Sequence, residues 1–183
     1  MAAASRISTS VLLTCAAIGV ATGVVGGIAG LITPLVIAGV PILYGLVLGA
    51  HVLPGIIAQQ VLRLPWVALI THVMAALVAS AFALPFAGRF LGTALLFGGI
   101  QEGVAALTRY RAWGAWRFFV SAAVIGVLVA AVVGVAANLA TLPVWAQLVY
   151  MILSFLGPIG WTAAGLGVGT ALRQAGVARR GRR

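Results

Sequence analysis

The chain has 183 residues, 63% of them hydrophobic and 7% charged, with a mean hydropathy of +1.22 and a formal net charge of +10; an ordinary soluble domain carries about 25% charged residues. A water-soluble fold is excluded, and at about 20 apolar residues per crossing the length is consumed by about five to seven membrane spans, leaving no soluble catalytic domain. All the basic residues are arginine and the single acidic residue is Glu102, so ATP hydrolysis by a lysine-bearing phosphate loop and Schiff-base chemistry are excluded within this chain.

Hydropathy and turn residues predict spans over about 9–31, 37–62, 65–84, 90–109, 115–138 and 143–172, each long enough to cross the hydrocarbon. The breaks fall at Thr33-Pro34, at Arg63-Leu64-Pro65, between Pro85 and Arg89, at Arg109-Tyr110-Arg111 with Gly114, and at Thr141-Leu142-Pro143. The first run follows Arg6 and contains Leu12-Leu13-Thr14-Cys15, a faint lipoprotein-like sequence. Its apolar character continues to Ile32, which favours a retained helix over a cleaved leader. One cysteine, Cys15, permits no intrachain disulfide.

With six spans, Arg6, Arg63, Arg109, Arg111, Arg117, Arg173, Arg179, Arg180, Arg182 and Arg183 share one side and only Arg89 takes the other. That asymmetry places both termini in the cytoplasm. The expected fold is an all-α integral membrane protein, six transmembrane helices in a compact bundle. Its divisions are a cytoplasmic N-terminus over 1–8, the transmembrane domain over 9–172 and a basic cytoplasmic tail over 173–183. The high charge therefore reads as topology and lipid contact, with no call for nucleic acid.

Small residues repeat on the first helix at Gly19, Gly23 and Gly27, with Ala17 and Ala21 on an adjoining stripe and Gly26 and Gly30 repeating the spacing. Gly45 with Gly49 and Gly165 with Gly169 offer two further faces. Such faces allow close backbone approach, either inside the bundle or against another subunit.

Polar groups at membrane depth are the functional candidates. Glu102 lies about two turns before Arg109 and is expected to be protonated, paired or reached by a ligand. Gln101 points about 100° away, so only one of the two faces a central cavity squarely, and the expectation falls on Glu102. His72 and His51 could donate to a ligand or bond to a neighbouring helix. Toward the non-cytoplasmic half stand Asn138, Trp145, Gln147, Tyr44 and Trp161; Trp145 reads as an interfacial anchor and Trp161 as a stacking surface for a flat ring. The histidines and Glu102 lack a recognisable metal-ligand spacing, and no nucleophile motif accompanies the serines. No metal, cofactor or catalytic residue is expected.

Several stretches together resemble the substrate-binding S components of energy-coupling factor (ECF) transporters, in particular the hydroxymethylpyrimidine/thiamine permease type. They are Tyr44-Gly45 with Leu53-Pro54-Gly55-Ile56-Ile57-Ala58; Glu102 ahead of Ala106-Leu107-Thr108-Arg109-Tyr110-Arg111-Ala112-Trp113-Gly114; and Trp145-Ala146-Gln147-Leu148-Val149-Tyr150 leading to Ala171-Leu172-Arg173-Gln174-Ala175-Gly176-Val177. The resemblance implies a six-helix, multi-pass protein of the cell membrane that captures a vitamin or vitamin precursor from outside. It further implies docking on an ECF transmembrane scaffold subunit driven by two cytoplasmic ATPase subunits. The family's scaffold contact matches Ala17 and Ala21, with Gly19 and Gly23 beside them, and its fourth-helix glutamate matches Glu102. The chain departs from the family at His72, where the family usually has glutamate, and at Gly26-Gly27-Ile28-Ala29-Gly30, where it tends to carry tryptophan and asparagine.

The leading expectation is a transport subunit that binds a small heteroaromatic, vitamin-like solute through Glu102, with His72, Gln147, Trp161 and Asn138 as further wall residues. The alternative is a small structural membrane protein that organises a complex or anionic lipid through its glycine faces and basic tail. An intramembrane enzyme ranks last, having only Glu102 and the histidines as acid/base groups.

Overall fold

The computed structural model describes residues 7–136 and 138–177, so Arg6 and the tail arginines from Arg179 onward lie outside the described residues. The described chain is helical without strands. Its helices are α1 (Thr9–Gly39), α2 (Tyr44–Gly49), α3 (Leu53–Leu62), α4 (Val67–Phe82), α5 (Ala87–Leu107), α6 (Ala115–Ala136) and α7 (Val144–Gln174). Because α2 and α3 are joined through the 3-10 turn Ala50–Val52, they form one interrupted crossing, Pro41–Leu62, and the seven helices make six passes.

Three boundaries differ from the sequence expectation. α1 runs through Pro34 to Gly39 instead of stopping at Thr33. Proline removes the N–H that would reach Gly30 O, and in apolar surroundings the helix continues because an unwound backbone would free more groups than the one proline leaves; one residue earlier, the Thr33 hydroxyl adds a bond to Ala29 O at 2.8 Å. The second span is interrupted where a continuous helix was predicted. Pro54 has no N–H, and the turn before it closes by a 3-10 bond from Leu53 N–H to Ala50 O.

The third boundary concerns α4, which is 16 residues long where a full crossing was predicted. At 1.5 Å per residue it reaches only about 24 Å, short of a hydrocarbon core of about 30 Å. Among the described residues five helical segments are long and apolar enough to cross, and α4 is the shorter sixth. Residues 63–66 are spent on a tight connection in which Arg63 and Trp66 adopt left-handed backbone, at φ 52° and 69°.

The interrupted span sits in the middle. Leu53, Ile56, Ile57, Ala58, Val61 and Leu62 of α3 are all buried, and the span touches α1, α4, α5, α6 and α7. Its approach to α7 is set by glycine. A Cβ at Gly45 would lie 2.3 Å from Ser154 Cα, and one at Gly49 would lie 2.7 Å from the Gly157 carbonyl carbon. Further along the same seam Gly165 faces Leu53 and Ile56, and Gly169 faces Gln60. The two glycine pairs read from the sequence are therefore the two sides of one internal contact between parallel spans. Leu13, Leu35, Leu77, Leu95, Val127 and Val132 point outward, the arrangement a lipid environment stabilises.

Candidate functional site

The helices leave a narrow cavity in the half of the bundle away from the Arg63, Arg109 and Arg173 end. Its inner lobe is walled by α1, α3, α4 and α5 with the 3-10 turn, through Thr22, Gly26, His51, His72, Phe90 and Thr93. Its outer lobe is walled by Gly30, Thr33, Leu48, Phe86 and Arg89, and shares His51, Phe90 and Thr93 with the inner one. Each lobe has about 20 Å³ of free room, enough for about one water. His51 and Phe90 partition them: their rings are nearly parallel, 14° apart, with centroids separated by 6.2 Å.

The short side chains of α1 and α4 create this space. Thr22 and Thr33 are turned back on their own helix, donating to Ile18 O at 2.7 Å and Ala29 O at 2.8 Å. Only the lone pairs of those two hydroxyls remain for a ligand. Gly26 lines the inner lobe, and a Cβ there would meet nothing nearer than 3.8 Å. Gly30 is different, because a Cβ would collide with Phe90. His51 Nδ1 is buried without a hydrogen-bond partner of good geometry, the Leu48 carbonyl being its backbone neighbour.

At the outer mouth Arg89 Nη2 donates to the buried Tyr44 hydroxyl, and the guanidinium lies 5.9 Å from the Tyr44 ring centroid. Deeper in, His72 Nε2 and Gln101 Oε1 are 3.0 Å apart, and Gln101 Nε2 donates to Val52 O at 3.0 Å. Because the amide nitrogen is committed to a carbonyl, Oε1 faces the imidazole, and His72 carries its proton on Nε2. Gly55 permits this pair, since a Cβ there would lie 1.8 Å from Gln101 Oε1 and 2.9 Å from His72 Nε2.

The polar chain continues away from the cavity. Gln59 Nε2 donates to Gln101 O at 3.4 Å, and Arg117 Nη2 donates to Gln59 Oε1 at 3.1 Å. Arg117 is 1% exposed, its guanidinium 4.2 Å from the Trp113 ring centroid and 4.4 Å from that of Phe118. Two aromatic faces lower the cost of burying that cation.

Of the five side chains singled out from the sequence as substrate walls, His72 lines the cavity and four stand elsewhere. Glu102 is at the N-terminus of α4, where Oε2 accepts from Trp66 N–H at 3.1 Å and Oε1 from Ala68 N–H at 2.7 Å. The Gln101-Glu102 choice thus resolves opposite to expectation: the amide faces His72 at the cavity wall and the carboxylate caps a helix. Nearby, outside the spans, burial and then the Glu102 charge push the Tyr110 phenol up from its usual range, keeping it neutral. Gln147 Nε2 donates to Leu142 O at 2.8 Å, closing the turn into α7. Trp161 Nε1 donates to Leu46 O at 2.9 Å, its ring packed between α7 and the central span. Asn138 occupies a left-handed turn at φ 53° and is exposed. His51, Phe90, Thr93, Arg89 and Gln101 are the wall and supporting residues that the favoured set omitted. The histidine and the amide carried a signal as polar groups at membrane depth, and Arg89 as the one arginine set apart from the others.

The small-residue stripe on α1 also divides. Gly19 and Gly23 pack on α4, where a Cβ would lie 2.8 Å from Met74 Cβ and 2.7 Å from Ala75 O, so their expected availability to another subunit is corrected: they are internal. Ala17 and Ala21 are exposed and edge a groove of about 660 Å³ with Leu13, Leu172, Ala175 and Val177.

The family model for the ABC-type cobalt transport system, permease component, matches residues 11–128. The chain belongs to this family. A solved structure described as the crystal structure of an S-component of an ECF transporter superposes with a TM-score of 0.81 at 18% identity, over 93% of this chain and 88% of that one. No curated protein matches. As a member of the cobalt-permease family with an S-component fold, the chain is a multi-pass membrane transport component. Among its described residues no group of three or more histidine, cysteine, aspartate or glutamate side chains converges.

Proposed function

We propose that this chain is the substrate-capture subunit of an ECF-type importer, binding a vitamin or vitamin precursor of the thiamine or hydroxymethylpyrimidine class in the cavity around His51, His72, Phe90 and Thr93. Substrate-binding residues 9–172 form the body, flanked by cytoplasmic termini. The carrying observation is the two-lobed cavity between α1, α4, α5 and the central span, walled by aromatic rings and a few polar atoms, the composition of an organic-ligand site; with room for about one water in each lobe, the structure is a closed form that admits a ring only when the His51–Phe90 partition moves. The metal in the family's description is less suited to this wall. Two imidazoles with no carboxylate or thiolate converging on them are a sparse donor set for a divalent cation.

An ECF scaffold subunit with two ATPases would supply the energy, in keeping with the absence of lysine and aspartate here. Ala17 and Ala21, exposed beside the α1–α7 groove, are the proposed scaffold contact.

The test is native mass spectrometry of the detergent-purified chain with thiamine, hydroxymethylpyrimidine and cobalt chloride, alongside Gly26→Val. Gly26 lines the inner lobe and a Cβ there is in ordinary contact with its neighbours; the larger side chain fills the lobe, and thermal unfolding of the variant checks that the fold is kept. Stoichiometric binding of an organic probe that Gly26→Val reduces at least tenfold is expected. Tight cobalt binding without organic binding, or organic binding indifferent to Gly26→Val, overturns the reading.

A further inference from the structure

We infer that the solute captured by this cavity carries an anionic group, a phosphate or carboxylate on a flat heteroaromatic ring, and that Arg89 receives it. This rests on the cavity reading and narrows it, setting a cationic solute such as thiamine against an acidic one.

The argument begins with charge. The chain contains one carboxylate side chain, Glu102, and both its oxygens are engaged by Trp66 N–H and Ala68 N–H at the N-terminus of α4. That site adjoins the Arg63 and Arg109 end of the bundle, whereas Arg89 opens α5 at the other end. No acidic side chain of this chain can therefore pair with Arg89. A solvated interfacial arginine needs no pair and ordinarily extends toward water. Arg89 is exposed to water, yet one Nη turns inward to the Tyr44 hydroxyl, and the residue edges the outer lobe with Thr33, His51 and Phe90. The tyrosine fixes one arm of the guanidinium, and its other N–H groups suit the planar, two-point recognition of a phosphate or carboxylate.

The rest of the wall agrees with the sign of that charge. A cationic solute would find Arg89 at the mouth and no carboxylate on either lobe. A flat ring lying past the anion would meet the faces of His51 and Phe90, with His51 Nε2 turned toward the inner lobe beside Gly26. Anion at the mouth and ring against the partition is the arrangement these residues accommodate, with the His51–Phe90 pair shifting to admit the ring.

Three probes separate the cases: hydroxymethylpyrimidine, its monophosphate, which keeps the ring and adds only negative charge, and thiamine. Each is titrated against the purified full chain and against Arg89→Gln and Arg89→Lys. Arg89 is exposed, so both variants should fold, and thermal unfolding checks it. A charge-assisted contact of this kind predicts that the monophosphate binds about 10- to 100-fold tighter than the neutral alcohol. Arg89→Gln should erase that preference and Arg89→Lys retain part of it. Equal or tighter binding of the alcohol or of thiamine, or a preference that survives Arg89→Gln, overturns the anionic assignment and leaves the cavity reading standing. Binding of none of the three overturns the cavity reading for this solute class, and the assignment with it.

Discussion

Removing the carboxylate of Glu102 should cost stability before it costs binding. Trp66 and Ala68 occupy the first turn of α4, where backbone N–H groups have no partner within the helix, and Trp66 supplies no side-chain cap of its own. Glu102 accepts from both, at 3.1 and 2.7 Å, while 4% exposed. A hydrogen bond to a charged group contributes about 1.5–3 kcal/mol, and a helix cap about 0.5–2 kcal/mol. The two share one side chain and are not additive, so Glu102→Ala should lose about 2–4 kcal/mol, a large part of a total stability of about 5–15 kcal/mol. Glu102→Gln keeps a single acceptor oxygen and turns an amide N–H toward the second donor, so its loss should be smaller, about 1–2 kcal/mol. The assay is thermal and denaturant unfolding of the detergent-purified variants, paired with solute titration of whatever remains folded. A Glu102→Gln protein that unfolds like the unaltered chain yet no longer binds solute would refute the capping account and return the carboxylate to the binding site.

Two further outcomes follow from the packing. On α1, Gly23→Leu should prevent folding or yield an unstable protein, because a Cβ alone would sit 2.7 Å from Ala75 O and Val78 Cβ; Ala17→Trp and Ala21→Trp should fold normally and lose co-purification with the scaffold, and scaffold recovery unaffected by both tryptophans would reject the proposed docking face. In the core, Gln101→Leu removes a second donor from the Val52 carbonyl, which keeps its helical bond, and strands the His72 Nε2–H, left to bear about 1–3 kcal/mol of unmet desolvation. A clear drop in unfolding temperature is expected there, and a Gln101→Leu protein as stable as the original would show that the His72–Gln101–Val52 bonds contribute nothing net.

Membrane character and the six helical passes were legible from composition and hydropathy alone, because hydrocarbon demands long apolar helices whose backbones satisfy themselves. Prolines misled the boundaries in both directions. Pro34 looked like a stop and lies inside α1, while the Pro54 segment looked helical throughout and carries a 3-10 interruption. A local signal states that a backbone donor is missing; what replaces it is supplied by neighbours in space.

Polar residues at membrane depth were equally visible, since Glu102, Gln101, His51 and His72 interrupt otherwise apolar sequence. What each one does was decided by tertiary structure. Residues 101 and 102 differ by about 100° around one helix, and that rotation sends the amide to His72 and the carboxylate to the start of α4, a partner some 34–36 positions away in the chain. Likewise the glycine spacing on α1 promised close approach without naming the partner, and only the docking of α4 onto Gly19 and Gly23 separated the internal face from the exposed face of Ala17 and Ala21. Sequence determines which groups cannot remain unsatisfied in hydrocarbon. The packing of the helices determines which group satisfies which, because contacts between distant segments follow from rotation, register and the few places where a missing Cβ lets two backbones meet.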